Sequence, residues 1–558
     1  MTHCGMRVLV FTLLSCTLAF GQIDDAKKAI ETGEFVRAVN LLAEEIATRP
    51  VPDAFLFLGI AYGNMKEYPK AEDTLKEGAR RFPNDPRFHN ELAGVYLATR
   101  EVDKAKTELR RALEVDPRNS YASDLIAAIE MSEGEVQSAL QFWNRSGRPV
   151  IDGILHNYYL NFGSRVVRNA IAFRPGVLHY SAWKTTQSRL LATNVFSNVG
   201  LEVEPTTIPD HYNAIVRTSE RTNDRMGFLW NLVKGAPYET SYLDVWNIGN
   251  SGLNFNSMFR WHPDRRRVET RLDIPLPAPG IVHLELSNTW RNERWDLTKS
   301  IRRPFLDRGR RLNYRSNALR AALKHIPHYR VEIGGAFEYT NRKATGDLPE
   351  LATDSRNTGK LFLETSIRFA DSTYQNRLHV EGFAARKSIA GDFNFSGGTV
   401  ELNNRLTISK DTRTYFDWTI KGGASRGQRP LEDYFVLGLD IHTPNPLRGH
   451  LMAERNRYGS APAGTDFVLA NFDIDRRIVT IPMFNNFNLP YIVLKVEGFL
   501  DAGKTWDRTH IFENTRLLID TGAGLVFDTP ASAFKVVYGR DLRGGKGVLY
   551  GYVERRLW

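Results

Sequence analysis

The chain has 558 residues, with 74 Lys+Arg against 64 Asp+Glu, a net charge of +10 and two cysteines. Its length implies several domains. Both cysteines, Cys4 and Cys16, fall within the first twenty residues, which excludes a disulfide framework and a cysteine metal site for the chain beyond them.

Residues 1–21 read as a signal peptide. Arg7 supplies positive charge, Val8 to Leu14 forms an apolar core, and Ala19 and Gly21 place small residues where a signal peptidase reads, with cleavage before Gln22. Leu13-Leu14-Ser15-Cys16 also resembles a lipoprotein box, so lipidation of Cys16 is the alternative. Past this segment no apolar run approaches the roughly 18 residues of a membrane helix. A membrane-embedded form must therefore be a closed barrel, the other structure that satisfies every backbone polar group in lipid.

Residues 22–148 are expected to be helical and repetitive. Leu58 and Leu92 lie 34 residues apart, as do Tyr62 and Tyr96, Ala71 and Ala105, Leu75 and Leu109, and Pro83 and Pro117. Five matches at one period indicate a tetratricopeptide-type array. Its small alanines let paired helices approach closely, and each proline ends a second helix. Gly33, Ala38 and Pro50 suggest a degenerate first repeat, and Ile126 and Ala139 a fourth. Such an array presents a concave surface for peptides or partner proteins; a plain spacer is the alternative.

Residues 149–223 change character. Ile154 to Leu160 suits a strand, Val166 to Phe173 a helix, and Ser181 to Thr193 a second helix after the break at Arg174-Pro175-Gly176. Gly200 to Glu204 and Tyr212 to Ser219 alternate like two strands. The expected order is β-α-α-β-β.

From residue 224 to 558 the pattern is strand after strand. Leu361, Leu363, Ile367 and Phe369 alternate with Lys360, Glu364, Ser366 and Arg368, and Val282, Leu284, Leu286 and Trp290 alternate with His283, Glu285, Ser287 and Arg291. About sixteen such segments lie between Thr240 and Trp558, with one long gap, Asp440 to Thr465, between the eleventh and twelfth. Apolar and charged faces alternating with period two suit a barrel wall between lipid and a wet lumen. In the segment from Tyr491 to Gly503, Ile492, Leu494, Val496 and Leu500 share one face, and Lys495, Glu497, Phe499 and Asp501 share the other. The long gap carries the turn-forming run Asn445-Pro446-Leu447-Arg448-Gly449-His450. An acid on the inward face then offers a partner to an arginine carried inward by a loop, so Arg448 is expected to meet Asp501.

These residues resemble the outer-membrane assembly-factor superfamily of bacterial surface antigens, the BamA/TamA-like barrels. The resemblance covers about residues 150–558. In that family a long loop folds back into the barrel and carries Val/Leu-Arg-Gly-Phe/Tyr at its tip, matched here by Leu447, Arg448 and Gly449 with His450 in place of the aromatic. The family's Phe-x-Asp-x-Gly strand is matched by Phe499, Asp501 and Gly503, and its next strand's Gly-x-Gly by Gly522 and Gly524. Trp558 matches the terminal aromatic that assembly machinery reads, although Glu554 and Arg556 break the apolar pattern before it. The module at 149–223 is similar to one POTRA domain, which precedes the barrel in this superfamily.

Together, the 34-residue period, the count of alternating segments and the resemblance lead to three expected parts: an all-α tetratricopeptide array, a small α+β POTRA domain, and a 16-stranded antiparallel transmembrane β-barrel. The resemblance implies an outer-membrane location with the N-terminal domains in the periplasm. It also implies insertion of client proteins through a barrel that opens sideways between a first strand near Thr240 to Asn247 and a last strand near Gly547 to Trp558. Expected partners are unfolded outer-membrane or secreted clients, periplasmic or lipoprotein partners on the helical repeats, and outer-membrane lipid, with no nucleic acid. The alternatives are a two-partner-type secretion pore and a barrel-anchored periplasmic scaffold. No phosphate-binding loop, His-Glu-x-x-His spacing or Gly-x-Ser-x-Gly elbow occurs. No catalytic, cofactor-binding or metal residue is therefore expected, and no enzyme activity.

Overall fold

The computed structural model describes residues 22–554, except 157–163, most of 222–238, 303–309, 349–350, 352, 371–372, 390, 441–443, 455–456, 483–490, 529–532 and 546. The expected signal peptide (1–21), Cys16 and Trp558 thus lie outside the described residues. The chain divides into two compact units. One comprises residues 1–155, 174–180 and 201–215, and the other residues 156–173, 181–200 and 216–558. The division runs through the module at 149–223, whereas the expected boundaries lie on either side of it.

The first unit opens with α1 (22–31), followed by α2 (Phe35–Thr48), α3 (Pro52–Asn64), α4 (Tyr68–Arg81), α5 (Arg87–Ala98), α6 (Val102–Val115), α7 (Ser120–Ser132) and α8 (Val136–Trp143). The periodic residues form its core. Ala71, Leu75, Ala105, Leu109 and Ala112 are fully buried, together with Phe88 and Ile126. Helices approach closely where side chains vanish: a Cβ on Gly78 would lie 2.3 Å from the Phe88 ring, and one on Gly59 2.5 Å from Leu75. Pro83 and Pro117 each stand two residues past a helix end, at Arg81 and Val115, where a proline ring cannot disturb the preceding turn. Asn119 caps α7 by accepting the Ala122 N–H at 3.1 Å.

Between array and sheet lie β1 (Val150–His156), α9 (Ser164–Ala170), β2 (Gly176–Val177), α10 (Tyr180–Ala192), β3 (Phe196–Pro205) and β4 (His211–Glu220). The four strands order as β2-β1-β4-β3. Both helices and all three longer strands match the expected sequence of elements. The short β2 is additional and falls at the Pro-Gly break, where Gly176 takes φ +125°. The first strand starts at Val150, four residues earlier than expected.

The rest of the second unit is dominated by one large antiparallel sheet. Ten strands precede the long loop: β5 (Thr240–Ile248), β6 (Leu253–Arg260), β7 (Arg265–Leu276), β8 (Val282–Asp296), β9 (Arg311–His328), β10 (Val331–Gly346), β11 (Thr353–Ala370), β12 (Tyr374–Ala385), β13 (Asn394–Ser409) and β14 (Thr414–Gln428). The loop holds four two-residue strands, β15 (Phe435–Val436), β16 (Ala453–Glu454), β17 (Arg457–Tyr458) and β18 (Ala463–Gly464). Five strands follow: β19 (Asp466–Pro482), β20 (Tyr491–Trp506), β21 (Leu518–Asp528), β22 (Ala533–Asp541) and β23 (Val548–Glu554). Successive long strands pair antiparallel, β14 pairs directly with β19 across the base of the loop, and β23 stands beside β5 in the order of neighbours.

The described residues hold fifteen long strands against the expected sixteen, so the long loop follows the tenth of them rather than the eleventh. Tight hairpin turns set the register where they join neighbouring strands. The β5–β6 turn puts Asn247, Gly249, Asn250 and Gly252 at φ +50° to +80°, conformations that glycine and asparagine tolerate.

Alternation sorts the two faces. Leu319, Leu361, Leu363, Val400, Ile420, Ile474, Val496 and Leu500 are exposed, although each sits mid-strand in a well-paired sheet. On the opposite face of the same strands Phe362, Ser366, Lys495, Glu497, Phe499 and Asp501 are buried. Exposed apolar side chains in such number are the reverse of a water-soluble sheet. No described helix is long and apolar enough to cross a membrane, which leaves strands out of account.

Candidate functional site: a loop clasped by the inner face

The loop between β14 and β19 folds onto the buried, charged face of β19 to β22. Its tip is a turn in which the His450 N–H donates to the Leu447 carbonyl at 3.0 Å, so Arg448 and Gly449 project from the apex. The N-terminal arm braces it: the Gly438 N–H donates to Asn445 O at 3.0 Å, and the Leu439 N–H to His450 O at 2.8 Å. Leu447 is fully buried among Leu437, Phe467 and Leu469.

Arg448 is 2% exposed and Asp501 0%. The Arg448 Nε donates to both Asp501 oxygens, at 2.9 and 3.2 Å, and Nη2 donates to Oδ1 at 2.5 Å. The Arg448 backbone N–H adds a bond to Asp501 Oδ2 at 2.9 Å. The planar fork of a guanidinium makes this arrangement, and a lysine cannot reproduce it. The expected pair therefore forms.

It is also part of a larger cluster. Nη1 donates to Glu497 Oε1 at 2.9 Å and to Asp473 Oδ1, and the guanidinium stacks 3.8 Å from the Phe499 ring centroid. Lys535 Nζ binds the other Glu497 oxygen at 2.5 Å. Asn471 Nδ2 donates to Asp501 at 2.7 Å and to the Pro446 carbonyl at 2.8 Å. Three carboxylates thus face two cations at a site where all but Asp473 are buried. Charges buried this way are tolerable only when each is paired and hydrogen-bonded.

The remaining motif residues have steric or polar parts. Gly449 donates its N–H to Asp520, whose carboxylate would lie 2.6 Å from any Cβ there. His450 places Nδ1 3.1 Å from the same carboxylate, a polar contact that a phenylalanine at this position would not provide. Gly522 leaves room for the Phe499 ring, 2.6 Å from its would-be Cβ, and Gly503 faces Leu437 and Leu447. Gly524 packs against β22, with Val536 O 2.8 Å from its would-be Cβ.

Asp473, Glu497, Lys535 and Gly539 were not expected at this site. A Cβ on Gly539 would lie 2.2 Å from the Arg448 carbonyl, so that glycine admits the loop tip. The available signal was a glycine inside the alternating strand that follows Lys535.

The loop makes a second buried cluster, in which Asp440 of the N-terminal arm meets Tyr458 of the C-terminal arm. Asp440 accepts from the Tyr458 hydroxyl at 2.8 Å, from Arg260 Nη1 at 3.3 Å and from the Tyr550 hydroxyl at 3.3 Å, with Arg265 Nη1 at 3.8 Å. Arg260 lies on β6, Arg265 on β7 and Tyr550 on β23. One loop carboxylate therefore ties both the first strands and the last strand of the sheet.

Strand register also gathers Glu364, His379 and Glu381, whose ligand atoms lie within 4.8 Å of one another and could hold a cation. Two of the three already have protein partners: Ser366 Oγ is 2.8 Å from His379 Nδ1, and Lys324 Nζ is 3.4 Å from Glu364.

A family model described as tetratricopeptide repeat matches residues 65–129. No curated protein matches. Among solved structures, BamA from Haemophilus ducreyi lacking POTRA domains 1–3 is similar over 73% of this chain and 83% of that one, at 13% identity and a TM-score of 0.42. CdiB from Escherichia coli is similar over 74% and 75%, at 12% identity and a TM-score of 0.48. CdiB from Acinetobacter baumannii is similar over 80% and 82%, again at 12% identity and a TM-score of 0.48. The tetratricopeptide match falls on the stretch where the 34-residue spacing is strongest and where α4 to α7 stack.

Proposed function

We propose that this chain is an outer-membrane protein-assembly factor. In this reading the large sheet is a closed transmembrane barrel of the sixteen-strand class. The module at 149–223 is a POTRA domain, and it lies in the periplasm with the helical array. The observation that carries the reading is the loop tip Leu447-Arg448-Gly449-His450, locked onto the charged face of β19 to β22 while the opposite face exposes apolar side chains. A loop held inside by buried charge, within a wall that is apolar outside, suits a barrel in lipid.

The seam between β5 and β23 is the working edge. An incoming strand pairs there through backbone hydrogen bonds, which need no particular sequence. Asp440 holds both sides of the seam and sets how readily it parts. The helical array recruits clients or accessory proteins. No nucleotide or catalytic group takes part, because burial of the client in lipid drives insertion.

A secretion pore is the second reading. It is favoured by the charged inner face of β7 and β8, which carries Arg267, Glu269, Arg271, Asp273, Glu285 and Arg291 and suits a hydrated passage. Site-specific photocrosslinking in cells separates the two. Client adducts at Ser241 and Leu549, on the seam strands, are expected for insertion. Adducts confined to Glu285 and Arg291, with none at the seam, would replace insertion by secretion. Protease added to intact cells should leave residues 22–222 uncut; cleavage there would reverse the orientation.

A further inference from the structure

The exposed faces of β7 to β10 grade along the strands from apolar to cationic. Directly paired residues share a face, so the registers define rows across the four strands. One row is Leu272, Leu286, Ala321 and Phe337. The next are Thr270, Asn288, Leu319 and Tyr339, then Val268, Trp290, Asn317 and Asn341. The row after those is Arg266, Asn292, Arg315 and Lys343.

Leu286, Trp290, Leu319 and Phe337 are exposed, which fixes these rows as outward-facing. Arg266, Arg315 and Lys343 are exposed as well. The row contains no acid. Nearby Arg294 pairs with Asp264 at 2.6 Å, but none of these three has a carboxylate partner among the described residues. Arg315 and Lys343 stand directly opposite one another, an arrangement that destabilises a sheet unless an anion lies between. At strand spacing the row spans about 14 Å. It lies at the end of the sheet where β14 gives way to the long loop, since β8, β10 and β14 all finish there.

We propose that Arg266, Arg315 and Lys343 form a docking row for phosphate-bearing lipid headgroups in the leaflet at the long-loop end. The apolar rows beside it take the acyl chains. The occupant is argued from charge complementarity, and from the row's continuity with a surface that only lipid suits. This inference rests on the reading of the sheet as a membrane barrel. A basic residue at an anionic lipid surface contributes about fivefold in binding.

The test uses the full chain, purified in neutral detergent and returned to phosphatidylcholine vesicles with or without phosphatidic acid. Native mass spectrometry then counts retained lipids. The wild-type protein should retain phosphatidic acid over phosphatidylcholine, and R266S/R315S/K343S should lose about tenfold or more of that preference. The charge-keeping variant R266K/R315K/K343R should retain it. K343E alone, on the exposed end of β10, should lose several-fold and stands in if the triple variant fails to fold. Inorganic phosphate should not displace the bound lipid; displacement would show capture of any anion and overturn the proposal. An undiminished preference in the serine variant, or in K343E where it stands in, would overturn the row alone. A wild-type chain that does not float with the vesicles would overturn the barrel reading and the row together.

Discussion

In the helical array, residues that depend on one another are near in sequence. The Tyr96 hydroxyl donates to Glu72, 24 positions away, and His89 meets Glu108, 19 away. In the sheet, Arg448 reaches Asp501 across 53 positions, and Arg260 reaches Asp440 across 180. The array can therefore lose a contact locally, as repeat proteins do. The sheet's loop joins strands from the beginning and the end of the same unit, so one lost charge affects all of them. The difference predicts which substitutions spread and which stay put.

The largest expected effect is that of Arg448→Ala. It leaves Asp473, Glu497 and Asp501 facing Lys535 alone, and removing one partner of a buried ion pair costs roughly 3–5 kcal/mol. Asp501→Ala should cost less, because Arg448 keeps Asp473 and Glu497. The double variant should be no worse than Arg448→Ala, since the Asp501 carboxylate left without its cation goes with it and residues of one cluster do not add. Heat resistance of the folded sheet on semi-native gels reports all three. Simple additivity would mean that the buried pair does not couple, and the comparison would lose its central case.

Leu75→Ala should cost about 2–5 kcal/mol, as for other large-to-small core changes. Leu75 is fully buried against Gly59, and little can collapse into its place. The loss should appear as earlier melting of helical circular dichroism, while the sheet's heat resistance stays unchanged. A fall in both would show that the array and the sheet are not independent in stability.

Asp440→Asn keeps shape and removes charge. Hydrogen bonds to charged groups contribute about 1.5–3 kcal/mol, and Asp440 accepts from Arg260, Tyr458 and Tyr550. The expected result is faster hydrogen exchange in both β6 and β23. Exchange confined to the loop would show that Asp440 does not couple the two sides.

The same contrast explains what the sequence discloses. The array's core is legible because stacking repeats one packing problem every 34 residues, and Ala71 with Ala105 and Leu75 with Leu109 solve it identically. The faces of β20 are legible from period two, and Arg448 with Asp501 from the motifs and that alternation. Asp473, Lys535 and Gly539 are not, because their positions depend on registers of β19 to β22 that no local spacing encodes. Arg260 lies in a strand whose own pattern gives no hint of a partner 180 residues on. The β2 strand was missed because two residues carry no periodicity.

The smallest expected effect comes from a pair with the same chemistry as Arg448 and Asp501, placed in water. Glu77 accepts from Arg80 Nε at 2.9 Å and Nη2 at 2.8 Å, and from Arg81 Nε at 2.5 Å. Hydrogen bonding from Arg80 and then from Arg81 lowers the Glu77 carboxyl to about 2, below its ordinary value of 4.5. A folded-state value below the unfolded one means that the contribution is present above pH 4.5 and is lost as the pH falls through 2. The pair is solvated, so salt screens it and side-chain entropy opposes it. Glu77→Gln should therefore lower the array's melting temperature slightly at neutral pH and low salt. The difference from wild type should vanish in high salt or at the acid end of that window. A loss in high salt as large as that of Arg448→Ala would mean that solvent exposure does not decide the worth of a forked arginine–carboxylate pair, and burial could no longer explain why the loop, rather than the array, is the vulnerable part of this chain.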